Sequence, residues 1–190
     1  MQLIRNLLVV LLLITTDLAA SPISWEEIRS GHMDSRRQPA ALEFYLQRIE
    51  RIKLQGRNQE EVIYSEVFDL ADKKVKKCLA DGCSLSPRLV INSYPYWLDE
   101  GIYHLLVFVS EDNWDEAYLK GVAGAVVSEH LGDLKEKLGL EWYIHVNVLE
   151  KRSVLHLGHA HVFIRGNDRE KVAVELKKRI PFSNPDLQPW

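Results

Sequence analysis

The stretch from Glu141 to Arg165 constrains the fold more than any other, because its apolar and polar residues alternate with a period of two. It contains four of the seven histidines, and a polar segment separates its two halves. Such alternation predicts two β-strands joined by a turn. In the second strand, His159 and His161 fall on one face, whereas Ala160 and Val162 fall on the other. Two neighbouring imidazoles are unusual on a core strand, so this stretch is the first candidate for a functional site.

The size and charge of the chain limit the classes of protein to which it can belong. It has 190 residues, of which 46% are hydrophobic, and this suits one globular domain with a core. The formal net charge is −3, and no basic stripe dominates the sequence. Nucleic acid and membrane surfaces are therefore not favoured as partners on electrostatic grounds.

The first twenty residues have the order of a secretory signal peptide. Arg5 precedes the apolar run of residues 7–14, and small residues follow as far as Ser21. The run is too short to span a bilayer comfortably, so we expect cleavage after residue 20 or 21 and a secreted or secretory-pathway protein. An uncleaved signal anchor and a buried N-terminal helix are the alternatives.

The chain has two cysteines, Cys78 and Cys83. In a secretory compartment they could close a small loop as a disulfide, and the alternative is two unpaired residues at the end of a helix. Their spacing differs from that of a CxxC redox motif, and two cysteines alone do not make a zinc site. No metal site is therefore predicted from them.

Helical periodicity dominates the first half of the chain, and strand patterns appear in the second half. The predicted elements are a short helix after Ser24, helices over about 39–55 and 60–79, strands at 88–92 and 102–110, a helix over 111–138 with Asp112 as its cap, the two strands described above, and a helix from Asp168. This order predicts a single α+β domain over residues 22–180, with a mainly antiparallel sheet and helices on one face. Residues 181–190 form a proline-broken tail.

Side chains two positions apart on a strand project in parallel, so the two imidazoles could share one ligand. A metal ion would need a further ligand, such as His145, His104 or Glu150. Alternatively, an imidazole could act on a phosphate whose charge Arg165 or Ser153 stabilises. In the third interpretation both rings are hydrogen-bonded in the core and have no chemical role, and the spacing by itself favours this one.

Four sequence blocks carry a family resemblance: SWEEI, RRQPAALEFYLQRI, INSYPYWLDEGIYHLLVFV and RSVLHLGHAHVFIR. In order and spacing they resemble the fungal N-acetylglucosamine-induced protein family, a domain of unknown biochemical activity. The resemblance covers almost the whole mature chain. It implies that the block containing Asn92, Tyr96 and His104 pairs with the strand of His159 and His161.

The same blocks are also similar, more faintly, to the histidine-triad (HIT) fold. That similarity implies a HIT-like sheet with His159 in the place of the nucleophile, His161 as the last histidine and Arg165 four residues beyond it. Asn147 and Ser153 would match the residues on the phosphate side. Two features depart from the triad pattern: its first histidine is absent or displaced to His156, and VLEKR replaces its glycine-rich turn.

Three functional hypotheses follow, and none of them names a cofactor. In the first, the protein is a HIT-like hydrolase or transferase for a phosphorylated or nucleotide-linked small molecule. In the second, it binds a metal or small ligand without turnover, and in the third it is a structural or interaction domain. The predicted catalytic residues are His159, His161, Ser153 and Arg165, and the predicted ligand-binding residues are Asn92, Tyr96, His104 and Asn147. Convergence of these side chains on one pocket would favour the first two hypotheses.

Overall fold

The computed structural model of this protein describes residues 21–31, 33–111, 113–152, 154–184 and 186–187. The predicted signal peptide lies outside these ranges. In the described part the chain forms a single α+β domain, as the sequence predicts, with six α-helices and four β-strands. The elements are α1 (Trp25–Ser30), α2 (Pro39–Leu54), α3 (Gln59–Glu66), α4 (Asp72–Asp81), β1 (Arg88–Ile91), β2 (Tyr103–Phe108), α5 (Glu116–Leu138), β3 (Glu141–His145), β4 (His159–Arg165) and α6 (Arg169–Arg179). None of these helices is long and apolar enough to cross a membrane.

The four strands form one antiparallel sheet in the order β1-β2-β4-β3. Strand β4 lies in the interior of the sheet, where His161 is paired with Leu106 on one side and with His145 on the other. The segment between β3 and β4 includes a short 3-10 turn, Leu149–Lys151. The histidine-rich stretch therefore forms two paired strands joined by a turn, as predicted, and supplies the centre of the sheet.

Helices cover both faces of the sheet, and the prediction that they lie on one face is wrong. Ala160 and Val162 belong to a core that α5 and α6 cover. The opposite face carries His159, His161 and Phe163, and side chains from α1, α3 and α4 pack over it. All six residues of β2 are buried, so apolar side chains on both faces of the sheet require a covering layer.

Local capping signals locate several helix ends correctly. Ser24 and Glu27 form the predicted capping box of α1: the Ser24 hydroxyl accepts from the Glu27 backbone N–H at 3.2 Å, and the Glu27 carboxylate accepts from the Ser24 N–H at 2.9 Å. Helix α5 ends at Gly139, whose φ of 60° is left-handed. The cap of α5 is Asp115, and Asp112, the predicted cap, lies outside the described residues.

The prediction of one helix over residues 60–79 is wrong, because the chain breaks between α3 and α4. Asp69 has a φ of 55°, which a continuing helix cannot accommodate. Phe68 beside it is buried, and the Leu70 N–H donates to the Tyr64 carbonyl at 3.1 Å. Apolar residues keep a helical spacing across the break, so the sequence pattern conceals it.

Cys78 and Cys83 are joined by a disulfide, with their Cα atoms 4.9 Å apart. The bond ties the last turn of α4 to the segment that leads into β1. Cys78 itself is buried against Tyr64, Phe68 and Val75. Of the two states that the sequence leaves open, the structure contains the bonded one.

Candidate functional site

Five of the residues predicted from the sequence form one buried cluster, the histidine network (Asn92, Tyr96, His104, Asn147 and His161). His104 Nε2 lies 2.8 Å from His161 Nδ1, and His161 Nε2 lies 2.9 Å from the side-chain amide of Asn147. The Asn92 amide lies 3.2 Å from His104 Nδ1, and the Tyr96 ring stacks on that of His161 with centroids 5.3 Å apart. Each of the five residues is at most 7% exposed.

The direction of the hydrogen bonds in the histidine network follows from one backbone donor. The Tyr96 backbone N–H donates to His104 Nδ1 at 3.2 Å, so that nitrogen is an acceptor. Neutral His104 therefore carries its proton on Nε2 and donates it to His161 Nδ1. His161 in turn carries its proton on Nε2, so we assign the Asn147 amide in the orientation that turns its oxygen, rather than its nitrogen, towards Nε2 as the acceptor. Both nitrogens of His161 are thereby engaged.

His159 lies beside the histidine network, with its ring centroid 5.5 Å from that of His161. Its Nδ1 lies 3.3 Å from the Leu157 carbonyl oxygen, which can only accept, so Nδ1 carries the proton and donates it. The other nitrogen, Nε2, is then the unprotonated one. No described residue forms a hydrogen bond with this atom. Phe108 and Trp114 pack against the ring, at centroid distances of 5.6 Å and 5.2 Å.

Burial keeps these imidazoles uncharged. It lowers the pKa of His104 and His161 well below the ordinary value of 6.5, and it lowers the pKa of His159 to about 4. Positive charge nearby acts in the same direction, from Arg37 on the first two rings and from Arg152 on His159. At neutral pH each ring has one lone-pair nitrogen, and only that of His159 is not used by another described side chain or backbone group.

The entry to β4 is positioned by Gly158, which directly precedes His159. A Cβ atom at this residue would lie 2.6 Å from Val109 Cγ2 and 2.7 Å from the Asn113 carbonyl oxygen. Only glycine allows the chain to pass this close to the segment before α5. The close approach fixes where the His159 ring enters the sheet face.

His159 and His161 line a cavity of about 120 Å³ between the sheet and helices α2 and α3. Apolar side chains form most of its wall, among them Ile49, Ile52, Val62, Leu106 and Phe108. Arg37 and Arg48 supply positive charge at the same cavity, and Tyr45 and Tyr94 add aromatic rings. This combination of a neutral imidazole, cations and apolar surface suits a small anionic ligand with an apolar part.

Sequence reasoning missed the four residues that α2 and its neighbouring turns bring to the cavity: Arg37, Tyr45, Arg48 and Tyr94. A signal was present, because Tyr45, Arg48 and Ile52 recur at helical spacing on one side of α2. Three of the four also lie in the block RRQPAALEFYLQRI, which carries the family resemblance. Arg37 and Arg48 could therefore have been predicted as ligand contacts from the sequence.

Two of the predicted catalytic residues are not placed with the others. Arg165 lies six residues along β4 from His159, or about 20 Å at the rise of a strand. Its guanidinium donates to the Glu141 carboxylate at 2.9 Å and lies 4.7 Å from the centroid of the Trp25 ring. The structure therefore does not bring Arg165 to the cavity, because the chain runs straight from one end of β4 to the other. Ser153 lies outside the described residues.

The metal interpretation receives no support from the described part of the chain, where no group of three His, Cys, Asp or Glu side chains is arranged to hold an ion. His161 cannot offer a free nitrogen, since His104 and Asn147 engage both of its ring atoms. His145 is only half-buried, and its ring lies 6.5 Å from that of His161. The pairing of His104 with His161 is thus explained by the hydrogen bond between their rings.

Comparison with known proteins places the chain in a family. Residues 24–165 match the model of a family described as a protein of unknown function (DUF3605), and the match includes both β2 and β4. A solved structure described as the crystal structure of HTC1 shares the fold, with a TM-score of 0.53 and 18% sequence identity over 84% of this chain and 98% of that chain. A search of curated proteins gives no match. The chain therefore belongs to the DUF3605 family.

Proposed function

We propose that the cavity beside His159 is an active site for a phosphorylated or nucleotide-linked small molecule, in a hydrolase or transferase that resembles the histidine-triad proteins. One observation carries the proposal. His159 directs its protonated Nδ1 to the Leu157 carbonyl, and its Nε2 has no hydrogen-bond partner among the described residues that form the cavity. The narrower kinship with N-acetylglucosamine-induced proteins stays a prediction from the sequence blocks.

The geometry suits nucleophilic attack by His159 on phosphorus. The Nε2 lone pair forms a bond to phosphorus while the bond to the leaving oxygen breaks, and that oxygen takes a proton from water. The ring becomes positively charged, and the Leu157 carbonyl that accepts from Nδ1–H stabilises this charge. Attack by water or an alcohol on phosphorus then breaks the N–P bond, whose electron pair returns to Nε2 and restores the neutral imidazole. The proton of the attacking oxygen goes to solvent, where it neutralises the hydroxide left by the first step.

The histidine network would support this step by holding the cavity wall in place. His161 is locked between His104 and Asn147, and its ring lies edge-on to that of His159. Arg37, which lines the same cavity, could balance the charge of the phosphate. Asn92 and His161 line the cavity, and the other three residues of the network, Tyr96, His104 and Asn147, act by positioning them.

The proposal predicts that His159→Ala lowers turnover at least about 100-fold, because it removes the only nucleophilic nitrogen that we assign to the described cavity. Purified protein is assayed against a panel of sugar phosphates, aryl phosphates and nucleotides. Intact mass of the wild-type protein after mixing should reveal a phosphoryl adduct, which His159→Ala lacks. The matched control is His130→Ala on the exposed surface of α5, which should keep full turnover. Equal turnover by wild type and His159→Ala would sink the proposal.

A second candidate function is binding of the same class of ligand without turnover. Residues 148–152, VLEKR, contain no glycine where a phosphate-binding turn would present open backbone N–H groups. Binding in the wild type together with no turnover and no phosphoryl adduct would support this function. Of the predicted ligand-binding residues, Asn92 lines this cavity, whereas His104 and Asn147 find their partners within the histidine network.

We also propose that the protein enters the secretory pathway. The proposal is supported by the charge–apolar–small order of residues 5–21 and by the Cys78–Cys83 disulfide, since such bonds persist in oxidising compartments. Expression of the full chain in a secreting host should yield extracellular protein whose first residue is Ser21 or Pro22. Recovery of the chain only inside the cell, with Met1 retained, would contradict this localisation.

A further inference from the structure

We propose that the cavity selects dianionic phosphate esters with a small apolar group, and that Glu66 is a counter-ion which such a ligand displaces from Arg48. This inference rests on the proposed function in placing a phosphorylated ligand beside His159. It adds the size and charge of that ligand and a residue that regulates its entry. The observations concern the two arginines of the cavity, their partners and the apolar wall.

Arg37 has unused capacity to bind an anion. Its Nε donates to the Tyr94 carbonyl at 3.2 Å, and its guanidinium stacks 4.4 Å from the centroid of Tyr45 and 5.1 Å from that of Tyr96. Within the described part of the chain no carboxylate forms an ion pair with it. A guanidinium that is half-buried and held rigidly by aromatic rings, without a counter-ion, favours an external anion.

Arg48 lies on the same wall, and its guanidinium forms an ion pair with the Glu66 carboxylate. Glu66 is the last residue of α3 and supplies the carboxylate found among the described residues of the cavity wall. Its side chain is 31% exposed, against 20% for that of Arg48, so it can rotate into solvent more easily than Arg48 can. An anion that enters the cavity competes with Glu66 for Arg48.

The charges of the wall match a dianion. With the histidines neutral, Arg37, Arg48 and Glu66 leave one positive charge in surplus, which a monoanion would balance. When Glu66 leaves Arg48, two positive charges face the ligand, and a phosphate monoester carries close to two negative charges above pH 7. A monoanion is already balanced by the surplus charge and gains little from displacing Glu66, whereas a dianion gains a second cation. The ion pair therefore favours dianions over monoanions.

The size and apolar character of the cavity limit the group attached to the phosphate. A cavity of about 150 Å³ lined by aliphatic side chains accepts benzene, and this one has about 120 Å³ lined by residues such as Ile49, Val62 and Phe108. Because this volume is smaller than that of the benzene-binding cavity, a short alkyl group fits within it, a single-ring ester group reaches its opening, and a nucleoside extends well outside it. Aryl or short alkyl phosphates are thus the expected class of substrate.

The test uses binding alone, with phenylphosphonate as a non-hydrolysable dianion and benzenesulfonate as its monoanionic counterpart. Calorimetric titration of the full protein is carried out at about pH 8, above the second pKa of a phosphate-type group. Phenylphosphonate should bind more tightly than benzenesulfonate. Glu66→Gln should tighten phenylphosphonate binding about tenfold, and Arg48→Gln should weaken it about tenfold, as expected for one charge-assisted hydrogen bond.

The double variant Glu66→Gln/Arg48→Gln tests the competition directly. In the Arg48→Gln background the second change should alter affinity less than twofold, because the cation for which Glu66 competes is gone. Matched controls are Glu50→Gln and Arg51→Gln on the exposed side of α2, which change charge equally and should leave binding unaltered. Equal affinity for the two probes, or an unchanged affinity in Glu66→Gln, overturns the inference. Phosphonate binding with the expected selectivity, together with no turnover and no phosphoryl adduct in the wild type, would support this recognition while contradicting the proposed chemistry.

Discussion

The free energy of unfolding should fall steeply as the pH is lowered from 6.5 towards 4, because three buried histidines are neutral in the folded chain. Burial lowers the pKa of His104, His159 and His161, so the unfolded chain binds protons that the folded chain does not. Their contribution to stability is fully present above the unfolded value of 6.5 and is lost as the pH falls below it. Each proton changes the free energy by about 1.4 kcal/mol per pH unit, so three give about 4 kcal/mol per unit.

The loss reaches on the order of 6 kcal/mol near pH 5, which is comparable to the whole stability of a typical domain. Carboxylates act at lower pH: the ion pair with Arg179 and its hydrogen bonds lower the pKa of Asp133 to about 2 from 3.8, so its contribution persists until the pH falls below about 4. The interval between pH 4 and 6.5 therefore reports mainly on the histidines.

Urea unfolding followed by circular dichroism at a series of pH values measures this slope. His159→Gln should lower it by about a third, since one of the three protons is removed. His130→Gln, a matched change on the exposed surface of α5, should leave the wild-type slope intact. A stability that stays constant from pH 7 to pH 4.5 would contradict this, because it would show that the rings take up protons in the folded protein at the same pH as in the unfolded chain.

His161→Ala should lower the free energy of unfolding by about 4 kcal/mol at neutral pH. The change leaves the His104 Nε2–H without its acceptor at 2.8 Å and removes the partner of the Asn147 amide. Each buried polar group left unsatisfied costs about 1–3 kcal/mol, and the space vacated by the ring adds to this. His159→Ala should cost less, because it breaks one described hydrogen bond, of 3.3 Å to Leu157, and the rest of the loss is the packing of its ring on Phe108 and Trp114.

A double-mutant cycle separates the hydrogen bond from general packing. Replacing His104 and His161 together by leucine removes donor and acceptor at once, and this should destabilise the protein by at least about 1 kcal/mol less than the sum of the two single changes. Chemical denaturation of the three variants at pH 7.5 supplies the comparison. Strictly additive effects would mean that the contact between the two rings contributes nothing to stability.

Much of the local structure could be predicted from the sequence, because it depends on neighbouring residues only. The alternation in β4 places Ala160 and Val162 against α5 and the two histidines on the opposite face, as observed. The capping box at Ser24 and the glycine at the end of α5 are likewise local signals. The break between α3 and α4 escaped prediction because it depends on how Phe68 and Leu70 pack against distant elements.

The residues of the candidate site likewise fall into those that the sequence could predict and those that it could not. From the sequence alone, His159 and His161 could be placed together on one strand, and the resemblance added Asn92, Tyr96, His104 and Asn147. Arg37 and Arg48 could not be joined to them, since they come from the opposite end of the chain and reach the cavity only when α2 lies across the sheet. Arg165 is the opposite case, because it was predicted to join the site. It lies four residues beyond His161 along the extended strand and is therefore away from the histidines.

The sequence by itself determined which side chains share a face of β4, since the period of a strand is a property of the backbone. Only the tertiary structure decided which of the two imidazoles keeps a ring nitrogen without a hydrogen bond to the described residues. The Tyr96 N–H engages Nδ1 of His104, the Asn147 amide engages Nε2 of His161, and the two rings bind each other through their remaining nitrogens. The Leu157 carbonyl, by contrast, engages one nitrogen of His159. These partners come from three separate segments of the chain, so the tautomer of each ring is set by contacts that no local pattern encodes.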